Sequence, residues 1–168
     1  MSDPINVKGL SDLQKLLDEL PAKMERNIMR GALRAGMNEV KPAAVRRIHS
    51  RTGQLAAGLK ISSRARGGVV SASLRATGPH AFIAHMLEFT GAAAHWIKPS
   101  KAGALVIGKS GQIREVVYHP GFLAMPFMRP ALDEKAADAV VATGNYIKQR
   151  LKDKNGLDTS DISIGVGT

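Results

Sequence analysis

The stretch from Pro21 to His49 constrains the fold more than any other part of the chain. Met24, Ile28, Ala32, Ala35, Val40, Ala44 and Ile48 recur every three to five residues, the period of one helix face. Lys23, Arg26, Arg30, Arg34, Lys41 and Arg47 lie mostly off that stripe. The pattern predicts a long amphipathic helix with its apolar side on a sheet and its cations in water. Pro42 falls inside it and predicts a kink or a helix–helix junction, because proline removes one backbone donor and crowds the preceding turn.

A shorter helix precedes it. Leu13, Leu16, Leu17 and Leu20 fall at helical spacing, with Ser11 as the expected N-cap. A second long helix is predicted from Ala131 to about Asp153, with Leu132, Ala136, Val140, Ile147 and Leu151 on its apolar side. Residues 51–58 read as a glycine-punctuated turn with room for one helical turn. Leu59-Lys-Ile-Ser-Ser-Arg alternates as a half-buried strand does, Gly67-Gly68 turns the chain, and Val69 to Ala76 returns antiparallel. Residues 81–89 fit helical spacing better than alternation. Met125 to Pro130 is expected to be extended, since residues before proline avoid the α region.

The segment Gly103-Ala-Leu-Val-Ile-Gly-Lys-Ser110 matches the pattern of a phosphate-binding loop letter for letter. That chemistry needs a leading strand, a glycine-rich loop and a helix opening at the Lys-Ser pair. Here the four variable positions are themselves β-formers, and Gln112 to Tyr118 follows as a second β-type run. The reading that fits both flanks is a β-hairpin, residues 104–107 and 112–118, with Lys109 at its tip.

The 168 residues suffice for one domain with a real core, built from Leu, Ile, Val, Met and Ala because aromatics make up only 4%. The absence of cysteine removes disulfides, thiolate metal sites and cysteine nucleophiles together. No apolar run is long enough to span a bilayer, and the N-terminus lacks the pattern of a signal peptide. The net charge of +10 is concentrated: residues 21–66 hold eleven Lys and Arg against two acids. Arg26, Arg30, Arg34, Lys41 and Arg47 thus form a candidate basic face for a polyanion or an acidic protein. Residues 21–66 contain no Phe, Tyr or Trp, which argues against base stacking and leaves contact with a duplex backbone open.

No catalytic constellation stands out. The five histidines show no metal-ligand spacing, and no G-x-S-x-G elbow occurs. The expectation is a protein without catalytic, cofactor or metal sites, and a binding or assembly role.

Several pieces, taken in order, resemble one family: Gly9-Leu-x-x-Leu-x-x-x-Leu17, Ala32-Leu-Arg-Ala-Gly-x-x-Val40, Arg51-Thr-Gly-x-Leu55, His85-Met-Leu-Glu-Phe-Thr-Gly91, and Pro126-Phe-Met-Arg-Pro-Ala-Leu132. Together they are similar to the minor tail component, or tail-completion (neck) protein, of long-tailed bacteriophages, over roughly residues 7–151. The resemblance implies a non-enzymatic virion protein, assembled in the host cytoplasm into a homo-oligomeric ring of six copies that joins head and tail. Its partners would be other neck and tail proteins and, non-specifically, channel DNA. The implied fold is α+β, an antiparallel sheet on two long helices, with a protruding hairpin; residues 1–154 form the domain and 155–168 a flexible arm. Candidate subunit or partner interface positions are Glu88, Phe89, Phe127, Arg129 and Pro130. For Glu88 and Arg129 a local cap or ion pair is equally open, while Phe89, Phe127 and Met128 read more readily as core. The rival reading from another class is a basic duplex-DNA-binding protein that uses the helix 21–49.

Overall fold

A computed structural model of the protein describes residues 7–20, 22–48, 52–99, 103–107 and 111–166. In chain order its elements are β1 (Val7–Lys8), α1 (Leu10–Asp18), α2 (Ala22–Arg47), α3 (Gln54–Ala57), β2 (Leu59–Arg66), β3 (Val69–Ala76), α4 (Ala81–His85), a π turn (Met86–Thr90), β4 (His95–Ile97), β5 (Leu105–Ile107), β6 (Gln112–Arg114), β7 (Val117–His119), α5 (Met128–Asn155) and β8 (Gly165–Val166). The α+β class holds, and the strands, all antiparallel, are distributed over four two-stranded sheets in place of one. The chain divides into two compact units, Met1–Ala81 with Phe127–Thr168, and Phe82–Pro126.

In the larger unit the apolar stripe of α2 is buried as its period requires: Ile28, Ala32, Val40, Ala43 and Ala44 are inaccessible or nearly so. Pro42 does not interrupt the helix, which runs unbroken from Ala22 to Arg47 with the proline on its exposed side. α2 and α5 run antiparallel. Gly31 lies beside Tyr146, Gly36 beside Ala139 and Thr143, and Arg47 beside Glu134. At Gly36 the helix lies against backbone: an added Cβ would meet Thr143 Oγ1 at 2.5 Å and the backbone oxygen of Ala139 at 2.6 Å. Small residues on both helices make that distance attainable.

A second cluster closes one end of this pair. Leu13 and Leu17 of α1, Ile28 and Ala32 of α2, and Ile147 and Leu151 of α5 form one buried core. Each fully buried leucine there contributes about 1.5–3 kcal/mol through the water it sheds. α1 starts on Gly9, whose φ of 84° only glycine adopts without strain, and no side chain caps it, so the cap expected of Ser11 is not used. α5 begins at Met128, three residues before the expected start. Pro130 sits in its first turn, where the missing N–H has no intrahelical partner to lose.

The segment expected as a free arm is folded back. Leu157, Ile162 and Ile164 pack against the α1–α2–α5 core, and β8 pairs with β1. Lys148 Nζ donates to the carbonyl of Ile162 at 2.5 Å, and Asp158 Oδ1 accepts from the backbone N–H and hydroxyl of Ser160 at 2.9 and 2.7 Å. Ile162, Ile164 and Val166 alternate with Ser163 and Gly165 as a strand does, a short signal that the expectation of a free arm overlooks.

The β2–β3 hairpin follows expectation closely. It turns at Gly67-Gly68, both with positive φ, and pairs in full register from Leu59↔Ala76 to Arg66↔Val69. Its inner side chains, including Ala72 and Leu74, line a cleft with Met37 and Val40 of α2. Thr77 caps the pairing, its N–H and hydroxyl both donating to Gly58 O at 2.9 and 2.8 Å.

The smaller unit is a helical entry followed by a long ribbon. After α4 the chain widens into the π turn, which Gly91 closes by donating to Met86 O, five residues back, at 2.6 Å. β4 pairs with β7, and the bridge Ala92↔Phe122 continues the same register, with N–H···O distances of 2.8 and 2.9 Å. Gly91 and Gly121 flank that bridge. A Cβ on either would fall within 2.8 Å of a backbone nitrogen on the facing strand. Further out, β5 pairs with β6 in a register shifted by extra residues on the leading strand. The predicted hairpin at 104–107 and 112–118 is therefore met by β5 and β6, but its second strand breaks after Arg114, and Val117–His119 turns to β4.

Gly36→Ala is expected to cost roughly 1–3 kcal/mol, because the new methyl meets the backbone oxygen of Ala139 as well as Thr143 Oγ1. Gly31→Ala, opposed only by the Tyr146 side chain, should be near neutral, since the gain in helix propensity offsets the adjustment. Urea unfolding of the two variants checks the contrast. Truncation before Leu157 should cost about 2–4 kcal/mol of apolar burial and lower Tm by roughly 5–15 °C in calorimetry.

Candidate partner interface

The basic face expected on α2 is only partly a surface for partners. Arg26, Arg30 and Arg34 follow one another at single-turn spacing and are exposed, and Arg26 Nε donates to Ala22 O at 2.9 Å. Lys41 is half-buried. Arg47 is engaged within the unit: its guanidinium donates to Glu134 Oε2 at 2.7 Å, and Arg46 reaches Glu134 Oε1 at 3.3 Å. The hydrogen bond from Arg47 and the two positive charges hold the Glu134 carboxyl below its ordinary range. This clamp ties the end of α2 to the beginning of α5.

The positions marked by the resemblance fall into different environments. Glu88 is 3% exposed within the π turn, whereas Phe89 beside it is 56% exposed, so Phe89 is not the core residue its chemistry suggested. The rings of His85 and Phe89, one turn apart, lie tilted against each other with centroids 5.0 Å apart. Phe127 is 1% exposed and serves as N-cap residue of α5; Arg129 is exposed and Pro130 half-buried in the first turn of that helix.

Sequence reasoning missed the ribbon as a surface. Trp96, Val106, Ile113, Tyr118 and Leu123 are all more than half exposed, with Leu123 reaching 86%. Trp96 and Tyr118 face each other across β4 and β7 with ring centroids 5.0 Å apart, and Val106 and Ile113 oppose each other across β5 and β6. Short strands without clear alternation hid this. What could have revealed it is the share of large apolar residues in a segment too narrow to bury them.

The second missed surface is the outer face of the β2–β3 hairpin. Side chains alternate across a strand, so Lys60, Ser62, Arg64 and Arg66 share one face with their partners Arg75, Ser73, Ser71 and Val69. The four cations are exposed. From residue 40 to residue 87 the sequence contains no Asp or Glu at all. The two-residue glycine turn fixes the register, so this face was accessible from sequence once the cross-strand pairs were written out.

Gly108, Lys109 and Ser110 lie outside the described residues, but their flanks are settled: β5 leads in and β6 pairs straight back, with no helix opening after the Lys-Ser pair. Among the described residues there is no group of three or more His, Asp or Glu placed to hold a metal ion, and no helix is long and apolar enough to cross a membrane.

Glu134→Gln should destabilise the protein at neutral pH, and the difference should vanish on acidification. The clamp contributes where the carboxyl is ionised; because its folded pKa is lowered, that contribution is complete above the unfolded-state value and disappears as pH falls through the folded one. Thermal melts of both forms across the acidic range check this.

No curated protein and no solved structure matches the chain significantly. Pro126–Leu132 lies beyond the stretch that a known family covers: residues 11–89, from α1 into the π turn, are similar to the family model described as "Bacteriophage HK97-gp10, putative tail-component".

Proposed function

We propose that the protein is a non-enzymatic structural subunit of a bacteriophage neck, forming a ring of six identical copies at the head-to-tail joint. The observation that carries this reading is the ribbon of the smaller unit, which holds Trp96, Val106, Ile113, Tyr118 and Leu123 in water. Several large apolar side chains left exposed on one ribbon support a surface that is covered in the working state. The similarity of residues 11–89 to a bacteriophage tail-component family supports the setting, a virion built from repeated protein contacts.

The larger unit offers a matching feature. Between α2, β3 and α5 lies an apolar cleft lined by Leu33, Met37, Ala72, Leu132 and Val140. Ribbon and cleft are different surfaces, so a ribbon of one copy seated in the cleft of the next makes a heterologous contact, the kind that closes into a ring. In this reading the subunit is assembled in the host cytoplasm, binds other neck and tail proteins and carries no cofactor.

Val106→Asp with Ile113→Asp tests it. Both side chains are 71% exposed, so the variant should fold with an unchanged circular dichroism melt. Supplied to a phage genome lacking this reading frame, it should leave filled heads and tails unjoined, as seen by electron microscopy, where the wild-type chain restores virions. Joined particles at wild-type yield would overturn the ribbon as the assembly surface.

A further inference from the structure

We propose that the outer face of the β2–β3 hairpin is a binding surface for the phosphate backbone of duplex DNA. Four observations converge on it. Lys60, Arg64, Arg66 and Arg75 project from one face of a fully paired hairpin, and all four are exposed. Ser62, Ser71 and Ser73 lie between them and supply hydroxyl donors, with Arg75 Nε already oriented by a 3.0 Å bond to Ser73 Oγ. No carboxylate occurs within the hairpin or in the chain flanking it from residue 40 to residue 87. Lys60 and Arg75 stand directly opposite each other, an arrangement of like charges that weakens a sheet.

That last pair is the most telling. A hairpin selected for stability alone would place an acid across from Lys60. Keeping two cations there makes sense where a polyanion neutralises both. From Lys60 to Arg66 the face extends about 20 Å at the rise of a β-strand, just over half a helical turn of duplex. Lysine, arginine and serine are among the side chains that most often contact phosphate oxygens. A protein partner fits less well, because interface cores favour aromatic and methionine side chains and are poor in lysine and serine, and the one large apolar residue on this face is Val69 beside the turn. The inference moves the nucleic-acid contact from α2, whose Arg47 is held by Glu134, to the hairpin. Its test uses free DNA, so it stands or falls separately from the ring.

The experiment measures binding of a short labelled duplex of arbitrary sequence by fluorescence anisotropy over a range of salt concentrations. The wild-type chain should bind without sequence preference, with log K falling linearly against log salt. Replacing all four cations (Lys60→Ala, Arg64→Ala, Arg66→Ala, Arg75→Ala) should reduce the slope by about 0.9 for each phosphate no longer neutralised, up to about 3–4 in all. Arg30→Ala with Arg34→Ala should leave most of the slope in place. Arg75→Glu, which sets an acid opposite Lys60, should weaken binding further than Arg75→Ala while raising Tm by about 1–3 °C. The proposal is overturned by wild-type protein that fails to bind duplex at low salt, or by a folded quadruple variant with the wild-type slope. A tighter affinity for polyglutamate than for duplex would also overturn it and assign the face to an acidic protein.

Discussion

Because Gly36 carries no side chain, α2 can lie against the backbone of Ala139, and the arrangement of the larger unit follows from that distance. With the two helices this close, the stripe of α2 is filled mostly by small side chains, Ala32, Val40, Ala43 and Ala44 beside Ile28, which suits a core so poor in aromatics. The Arg46–Arg47–Glu134 clamp then fixes one end of the pair, and α1 with the returning C-terminal segment closes the other. Since α2 also backs the β2–β3 hairpin, the position of the cationic face is set by the same contact.

Different physical pressures shaped the two units. The larger one buries its apolar residues in a conventional way and turns charge outward. The smaller one holds its ribbon by backbone pairing, with Gly91 and Gly121 allowing the strands to approach where any side chain would collide. Backbone hydrogen bonds give such a ribbon its form, while its exposed side chains remain free to meet another surface. Two-stranded ribbons of this kind are marginal alone, and contact with a partner would contribute the missing burial.

Much of the fold was legible because periodicity is a local signal. The stripe from Met24 to Ile48 and the alternation around Gly67-Gly68 specified α2 and the β2–β3 hairpin almost to the residue. Where sequence reading failed, a long-range contact decided the outcome. Leu157, Ile162 and Ile164 carry only a short alternation from Ile162 to Val166 and are ordered by a core built largely from residues far earlier in the chain. Gln112 to Tyr118 has β propensity throughout, yet β4 competes for its second half and splits it. Pro130 suggested extended chain, whereas in the first turn of α5 its missing donor costs nothing. The candidate surfaces were harder still, since whether Phe89 is core or surface depends on how a π turn presents it.

The order in which the chain is made gives the α2–α5 contact one more consequence. Some eighty residues separate the end of α2 from the start of α5. At ribosomal rates of about 5–20 residues per second, the apolar stripe of α2 waits roughly 4–16 s for its partner. During that interval β2 and β3 can cover part of it, because their hairpin closes locally and is translated at once. The basic residues that crowd α2 and the hairpin, unrelieved by any acid from residue 40 until Glu88, would meanwhile keep neighbouring nascent chains apart by mutual repulsion. A charge distribution suited to a polyanion would thus also protect the half-made protein from its own copies.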